Sequence, residues 1–296
     1  MLHNARHRPL PDYLKPKLQR LRKRQPVTLC IAAPCFIRDD TGKAQSRIVF
    51  GWDTREQNQF TGADVAFKQG RASASLIALM SGDGSAPEDF LSTCKSCLSD
   101  NITFSTAFDE INAAVGIHKK KLCERLAQQR FGMDYERVLT KGQEEIPPDI
   151  RERFFYDLEK LDPGFEVILL GFTPKGAAMV FVVDGYEVRD CSQTFGTAGS
   201  GAVIAETVLY QRKQHFGMHQ HFTAYNLYEA FKLASGRAPG VGEFSLSVGS
   251  PADETEDWMK QQFVNGEGKK LLERAFQKHG PRILKSPPIL AEKHFL

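Results

Sequence analysis

The sequence lacks a long apolar run, a strong net charge and an ordered pattern of cysteines. No apolar run approaches the ~18 residues that a membrane-spanning helix needs, so no membrane segment is expected. The formal net charge of +3 is too small to indicate nucleic acid as a partner. The six cysteines are scattered and no signal-peptide pattern is present, which predicts reduced thiols in a cytoplasmic protein. What remains is a globular chain of 296 residues, long enough for one large domain or two small ones.

Two apolar runs separated by a polar stretch predict a hairpin near the start of the chain. Residues 28–33 (TLCIAA) and 47–52 (RIVFGW) are rich in β-forming residues, and residues 38–43 between them are typical of a hairpin loop. Thr28 then opens one strand and Asp53 ends its partner. A strand start exposes a side chain and a paired strand holds a carboxylate rigidly, so this position suits a hydroxyl nucleophile.

The hairpin is the first of several motifs that resemble one family when they are taken in order. The motifs are TLCIAA at 28–33, VFGWDTR at 49–55, Lys68, ALMSG at 78–82, FEVILLGF at 165–172 and FGTAGSGA at 195–202. Together they resemble the proteasome-type N-terminal-nucleophile (Ntn) hydrolases, most closely the simpler bacterial relatives. The resemblance covers residues 27–248 with a gap in the middle. It implies an α+β fold of the four-layer αββα sandwich type, and the predicted order of strands and helices fits two sheets packed between helical layers.

The chain divides into three predicted parts. Residues 1–26 hold eight Lys and Arg residues against one acid and are interrupted by prolines, which predicts an exposed basic arm or propeptide. That arm is interpreted as a solvated extension, and a contact with nucleic acid or a membrane surface is the alternative. Residues 27–250 form the predicted Ntn hydrolase domain, and residues 251–296 a helical C-terminal extension with helices around 258–263 and 269–279. Within the domain, a strand is predicted over 72–80, a helical region over 106–140 and a polar break over 141–149.

The resemblance implies a threonine hydrolase that acts on peptides and uses no cofactor. Its nucleophile would be Thr28, as the first residue of the mature chain after removal of the arm. A free α-amine has a pKa of about 7.7–8.0, so one residue can supply both the attacking hydroxyl and the base.

Four further residues match functional positions of the family. Lys68 matches a lysine that favours the alkoxide form of the nucleophile, and Asp53 matches the aspartate that pairs with this lysine. Gly82 matches a glycine whose backbone N–H stabilises the oxyanion, and Ser200 matches a serine beside the nucleophile. Each also has a plain structural reading, as a surface charge, a turn glycine or a helix entry.

Two departures from the family pattern leave an alternative function open. Residues 236–242 (GRAPGVG) lack the aspartate and serine that active members carry there, and Val27 stands where self-processed relatives have glycine. The alternative is a catalytically silent scaffold or ring subunit. The expected partners are a peptide or protein substrate, further copies of this chain in a ring, and an ATPase or adaptor.

Cysteine and histidine clusters provide weaker candidates. Cys94 and Cys97 form a single CxxC motif without a second pair, so two partly buried thiols one helical turn apart are expected rather than a zinc site. The histidines at 215, 219 and 221 have no acidic or cysteine ligand nearby in sequence, which favours a polar loop over a metal site. Cys30 is expected to be a small core residue.

Overall fold

The structure is a computed structural model that describes residues 28–54, 56–57, 62–63, 68–82, 85–237, 241, 243–252, 259–280 and 287–296. The predicted basic arm of residues 1–26 lies outside the described residues. The strands are β1 (Cys30–Arg38), β2 (Ala44–Asp53), β3 (Glu56–Gln57), β4 (Gly62–Ala63), β5 (Gln69–Arg71), β6 (Leu76–Gly82), β7 (Phe165–Phe172), β8 (Ala178–Asp184), β9 (Glu187–Asp190), β10 (Gly196–Ala198), β11 (Phe244–Ser250) and β12 (Lys260–Phe263). The helices are α1 (Ala86–Cys97), α2 (Phe104–Phe131), α3 (Tyr135–Glu145), α4 (Pro148–Glu159), α5 (Ala202–Gln211), α6 (Gln220–Arg237) and α7 (Gly266–His279), with a 3₁₀ turn at Glu292–His294.

Two five-stranded antiparallel sheets form the centre of the molecule. The first has the strand order β10-β1-β2-β11-β12 and the second has the order β5-β6-β7-β8-β9. The predicted hairpin is the β1–β2 pair, whose register runs from Cys30 opposite Trp52 to Arg38 opposite Ala44. The predicted α+β class is therefore confirmed.

The two faces of each sheet pack against different partners. In β1, Ile31 and Ala33 join an apolar cluster with α5 and α6, whereas Cys30 and Ala32 join a cluster that includes Ile168 and Val182 of the second sheet. Successive side chains of a strand point to opposite faces. Alternate residues of β1 therefore contact the helices on one side and the second sheet on the other. On its other face, the second sheet packs against α1 and α2. Among the described helices, none combines the length and the apolar character that crossing a bilayer requires.

Three element predictions were wrong in detail. The helical region expected over 106–140 is interrupted at Gly132, which has a left-handed φ of 62° and ends α2. Helix α3 continues through most of the expected break and ends at Glu145, shortly before Pro147 and Pro148. The strand expected from residue 72 begins at Leu76, because the N–H groups of Ala72 and Ser73 donate to the carbonyl of Leu76 in a turn.

The C-terminal extension contributes to the first sheet. Residues 260–263 form β12, which pairs with β11, so the helix expected around 258–263 was wrong over these residues. The helix expected over 269–279 is confirmed as α7, where Leu272 is buried in the cluster that also holds α6. The proposed boundary at residue 250 stays a prediction.

A buried ion pair joins the end of α5 to α6 and gives a stability prediction. Arg212 Nε and Nη2 each donate to the Glu229 carboxylate at 2.7 Å, and the two side chains are only 6% and 2% exposed. Removing one partner leaves an uncompensated buried charge, so Arg212→Met should lower the free energy of unfolding by about 3–5 kcal/mol in urea denaturation.

The control is the exposed pair of Arg125 and Asp89, whose side chains are 57% and 40% exposed. Arg125→Met should cost less than about 1 kcal/mol. The double variant Arg212→Met, Glu229→Met should lose less than the single variant, because no unpaired charge remains. An Arg212→Met cost as small as that of Arg125→Met would contradict this account of the pair.

Candidate functional site

Thr28 lies two residues before β1 and is held through its backbone by the turn that precedes α5. Its N–H donates to Ser200 Oγ at 3.2 Å, and its carbonyl accepts the N–H of Gly201 at 3.2 Å. The residue is buried, with 3% of its surface exposed. Two contacts to residues more than 170 positions away therefore fix the orientation of Thr28.

A lysine and an aspartate complete a short chain of polar contacts to the Thr28 hydroxyl. Lys68 Nζ donates to Thr28 Oγ1 at 3.1 Å and to Asp53 Oδ1 at 2.5 Å. The same Asp53 oxygen accepts the N–H of Leu29 at 3.1 Å. The Asp53 side chain is fully buried and that of Lys68 is 12% exposed. A charge in such a place is stable only when it is paired and hydrogen-bonded, and the ammonium and the N–H provide this.

The Gly199–Gly201 turn brings Ser200 to Thr28 through a close backbone contact. Gly199 has a φ of +97°, and a Cβ at this position would lie 2.2 Å from the Thr28 carbonyl oxygen. Any side chain there would displace Thr28 or the turn. Close packing therefore explains the glycine at position 199 of the FGTAGSGA motif, whatever role the motif has in function.

Glu166 is a site residue that sequence reasoning missed. It lies on β7, and its carboxylate accepts the N–H of Gly199. Burial raises the pKa of Glu166, and the Gly199 N–H opposes that rise. The sequence did contain a signal for it. Glu166 is the single acidic residue in the apolar run FEVILLGF, and a charged side chain is not expected in a buried strand unless it has a specific partner.

Gly82 has a packing role in the structure. It ends β6 with a φ of +151°, and a Cβ there would lie 2.5 Å from the carbonyl oxygen of Gly164. Its neighbour Ser81 lies near the site, since a Cβ on Gly199 would come within 2.9 Å of Ser81 Oγ. The oxyanion role of the Gly82 N–H stays a prediction.

Cys30 is a core residue, as expected. Its Sγ donates to the carbonyl of Met80 at 3.6 Å and it has no exposed surface. Burial, followed by the nearby Asp53 carboxylate, raises the pKa of the Cys30 thiol far above its usual range. The thiol therefore stays protonated and is a poor nucleophile at neutral pH.

The CxxC cysteines and the histidines of residues 215–221 are the weaker candidates that the sequence offered. All six cysteines are free, and Cys94 and Cys97 lie one turn apart on α1, the first buried and the second half-buried. Within the described ranges, no group of three His, Cys, Asp or Glu side chains is placed to hold a metal ion. The rings of His219 and His221 lie 4.7 Å apart at the start of α6.

Comparisons with known proteins show a likeness of fold. No protein-family model matches the sequence, and no curated protein matches it. Among solved structures, the chain is similar to the Gly-1 mutant of Anbu from Hyphomicrobium sp. strain MC1, with 14% identity and a TM-score of 0.52. The similarity covers 85% of this chain and 95% of that chain.

These comparisons correct the family identification made from the motifs. Assignment of this chain to the proteasome-type Ntn hydrolases was wrong, because no family model matches and the identity to a protein of similar fold is only 14%. The glycines in the motifs that carried the resemblance have a steric reason, since a Cβ at Gly82 or Gly199 would collide with neighbouring backbone atoms. What the comparisons do show is a distant likeness of fold to Anbu.

Proposed function

We propose that this chain hydrolyses amide bonds in peptides, with Thr28 as the nucleophile once the chain has been cleaved between residues 27 and 28. One observation carries the proposal. The ammonium of Lys68 lies 3.1 Å from the Thr28 hydroxyl and is held at 2.5 Å by the buried carboxylate of Asp53. A cation at this distance favours the alkoxide character of a hydroxyl, and the carboxylate keeps the lysine charged.

The base in this proposal is the α-amine that cleavage would release. It has a pKa of about 7.7–8.0 in general, so it can accept the hydroxyl proton near neutral pH. In the uncleaved chain the Thr28 N–H already donates to Ser200 Oγ at 3.2 Å. The same oxygen can orient the released amine, and Glu166 supports it by binding the Gly199 N–H.

The reaction then has two steps. Thr28 Oγ1 attacks the substrate carbonyl carbon while its proton passes to the amine, and backbone N–H groups such as that of Gly82 stabilise the oxyanion. The proton is delivered to the leaving amine, the amide C–N bond breaks and an ester to Thr28 remains. Water hydrolyses this ester and restores the hydroxyl.

The proposal also covers the architecture and the domain division of the chain that carries this site. Helical clusters on the outer faces of both sheets and an apolar cluster between the sheets support a four-layer αββα arrangement. We include in the proposal the basic arm as a propeptide, residues 27–250 as the hydrolase domain, residues 251–296 as its extension and a cytoplasmic location.

A silent scaffold subunit is the second candidate. In the uncleaved chain the Thr28 nitrogen belongs to a peptide bond and 97% of the residue's surface is covered, which favours this function. Self-assembly with further copies of this chain is part of this second candidate function. Light scattering should then show an oligomer of about six subunits or more, and a folded monomer at micromolar concentration would count against assembly.

Substitution of Thr28 tests the nucleophile. In a chain that begins at Thr28, released from a cleavable fusion so that the amine is free, Thr28→Ala should abolish hydrolysis of a peptide library. Thr28→Ser should keep part of the activity, because serine preserves the hydroxyl and the amine. Mass spectrometry should place an epoxyketone adduct on Thr28. Absence of both hydrolysis and adduct in the folded chain would leave the scaffold function as the better account.

Substitution of Lys68 tests the observation that carries the proposal. Lys68→Ala should reduce kcat/KM by about a hundredfold or more, the effect typical of removing a preorganised charge or donor. Lys120→Ala, on the exposed face of α2, removes the same charge and should leave the activity unchanged. Circular dichroism should confirm that both variants fold. Activity within about tenfold of the parent in a folded Lys68→Ala variant is incompatible with the proposed role.

A further inference from the structure

A cavity lined by basic side chains lies against the first sheet at the start of α6. Its volume is about 510 Å³, and its walls include Arg38, Arg47, Lys260, His219, His221 and Gln262. These residues come from β1, β2, β12 and the start of α6, so the fold assembles them from distant parts of the sequence. Among the residues that the structure describes, no Asp or Glu lines this cavity.

The sheet register explains why Arg47 and Lys260 share one face. Lys260 pairs with Ser250, and Gln262 pairs with Val248 on the neighbouring strand. Arg47 lies two residues before Val49, which pairs with Val248, so all three strands present these residues to the same side. Val248 and Val49 belong to the apolar cluster of α6, which identifies that side as the helical one.

The two histidines form the wall at the beginning of α6. The carbonyl of His219 accepts the N–H groups of Phe222 and Thr223, so this residue stands at the helix N-terminus. His221 Nδ1 is buried and has no hydrogen-bond partner. Burial lowers the pKa of both imidazoles, and Arg38 adds to the effect at His219. Three cationic side chains and a buried imidazole nitrogen thus line the same cavity.

We propose that this cavity is a binding site for a phosphate-type oxyanion, separate from the Thr28 site. Guanidinium, ammonium and imidazole N–H groups form strong charge-assisted hydrogen bonds with phosphate oxygens. The N-terminal end of α6 adds its partial positive charge. Arg47 already donates to Ser46 and Gln45 at 2.8 Å, which fixes its guanidinium, and an anion would bind to the group in addition to these contacts. The histidine cluster, first interpreted as a polar loop, contributes to this site.

Calorimetric titration of the full-length chain with pyrophosphate at constant ionic strength tests the site. Saturable binding with a Kd below about 1 mM is expected. The double variant Arg47→Gln, Lys260→Gln should weaken binding by about tenfold or more, since charge-assisted bonds are lost. The matched control Lys120→Gln, Lys141→Gln removes two exposed cations elsewhere and should bind as the parent does.

A second measurement does not depend on folding of the double variant. In histidine side-chain NMR spectra of the parent, pyrophosphate should shift the resonances of His219 and His221, assigned through His219→Asn and His221→Asn, and leave that of the buried His118 unchanged. Adenosine diphosphate in place of pyrophosphate distinguishes two sources of the anion. Tighter binding of the nucleotide assigns the site to a phosphate ester, and tighter binding of pyrophosphate assigns it to an inorganic anion. The proposal is overturned by lack of saturable binding of either probe up to about 10 mM, or by equal affinities in the parent and the Arg47, Lys260 variant.

Discussion

The buried carboxylate of Asp53 is the constraint on which the candidate site depends. It lies at the end of β2 with no exposed surface, where an ionised group is stable only if other groups compensate its charge. The Lys68 ammonium and the Leu29 N–H do so at 2.5 and 3.1 Å. Since Leu29 follows Thr28 and Lys68 reaches the Thr28 hydroxyl, compensation of one charge also orders the proposed nucleophile.

The opposite side of Thr28 is fixed by a backbone turn. Gly199 approaches the Thr28 carbonyl too closely for any side chain, Gly201 binds that carbonyl, and Ser200 accepts the Thr28 N–H. The buried Glu166 holds the turn through the Gly199 N–H. Burial raises the pKa of the Glu166 carboxyl, and the hydrogen bond from the Gly199 N–H opposes that rise by favouring the charged form. Thr28 is thus held on one side by the Lys68–Asp53 ion pair and on the other by the tightly packed turn at residues 199–201.

Sequence patterns predicted the local elements better than the long-range contacts. The β1–β2 hairpin followed from two β-rich runs around a polar loop, and Asp53 was expected at its end because the second run stops there. Lys68 and Ser200 were found through the resemblance alone, since the sequence around Lys68 has no periodic pattern. Glu166 and β12 were missed, because the first needs knowledge of a contact 33 residues away and the second is a short edge strand in a polar stretch. Motifs of small residues misled the family assignment, since backbone geometry can require them without common function.

The central claim is that Thr28 becomes the first residue of the working protein. Intact-mass spectrometry of the purified protein, after expression of all 296 residues, tests it most directly. The account predicts a mass lower than that of the whole chain by residues 1–27, which places a free amine on Thr28. A folded protein that keeps its full mass would contradict the account, because the amine that acts as the base would then be absent.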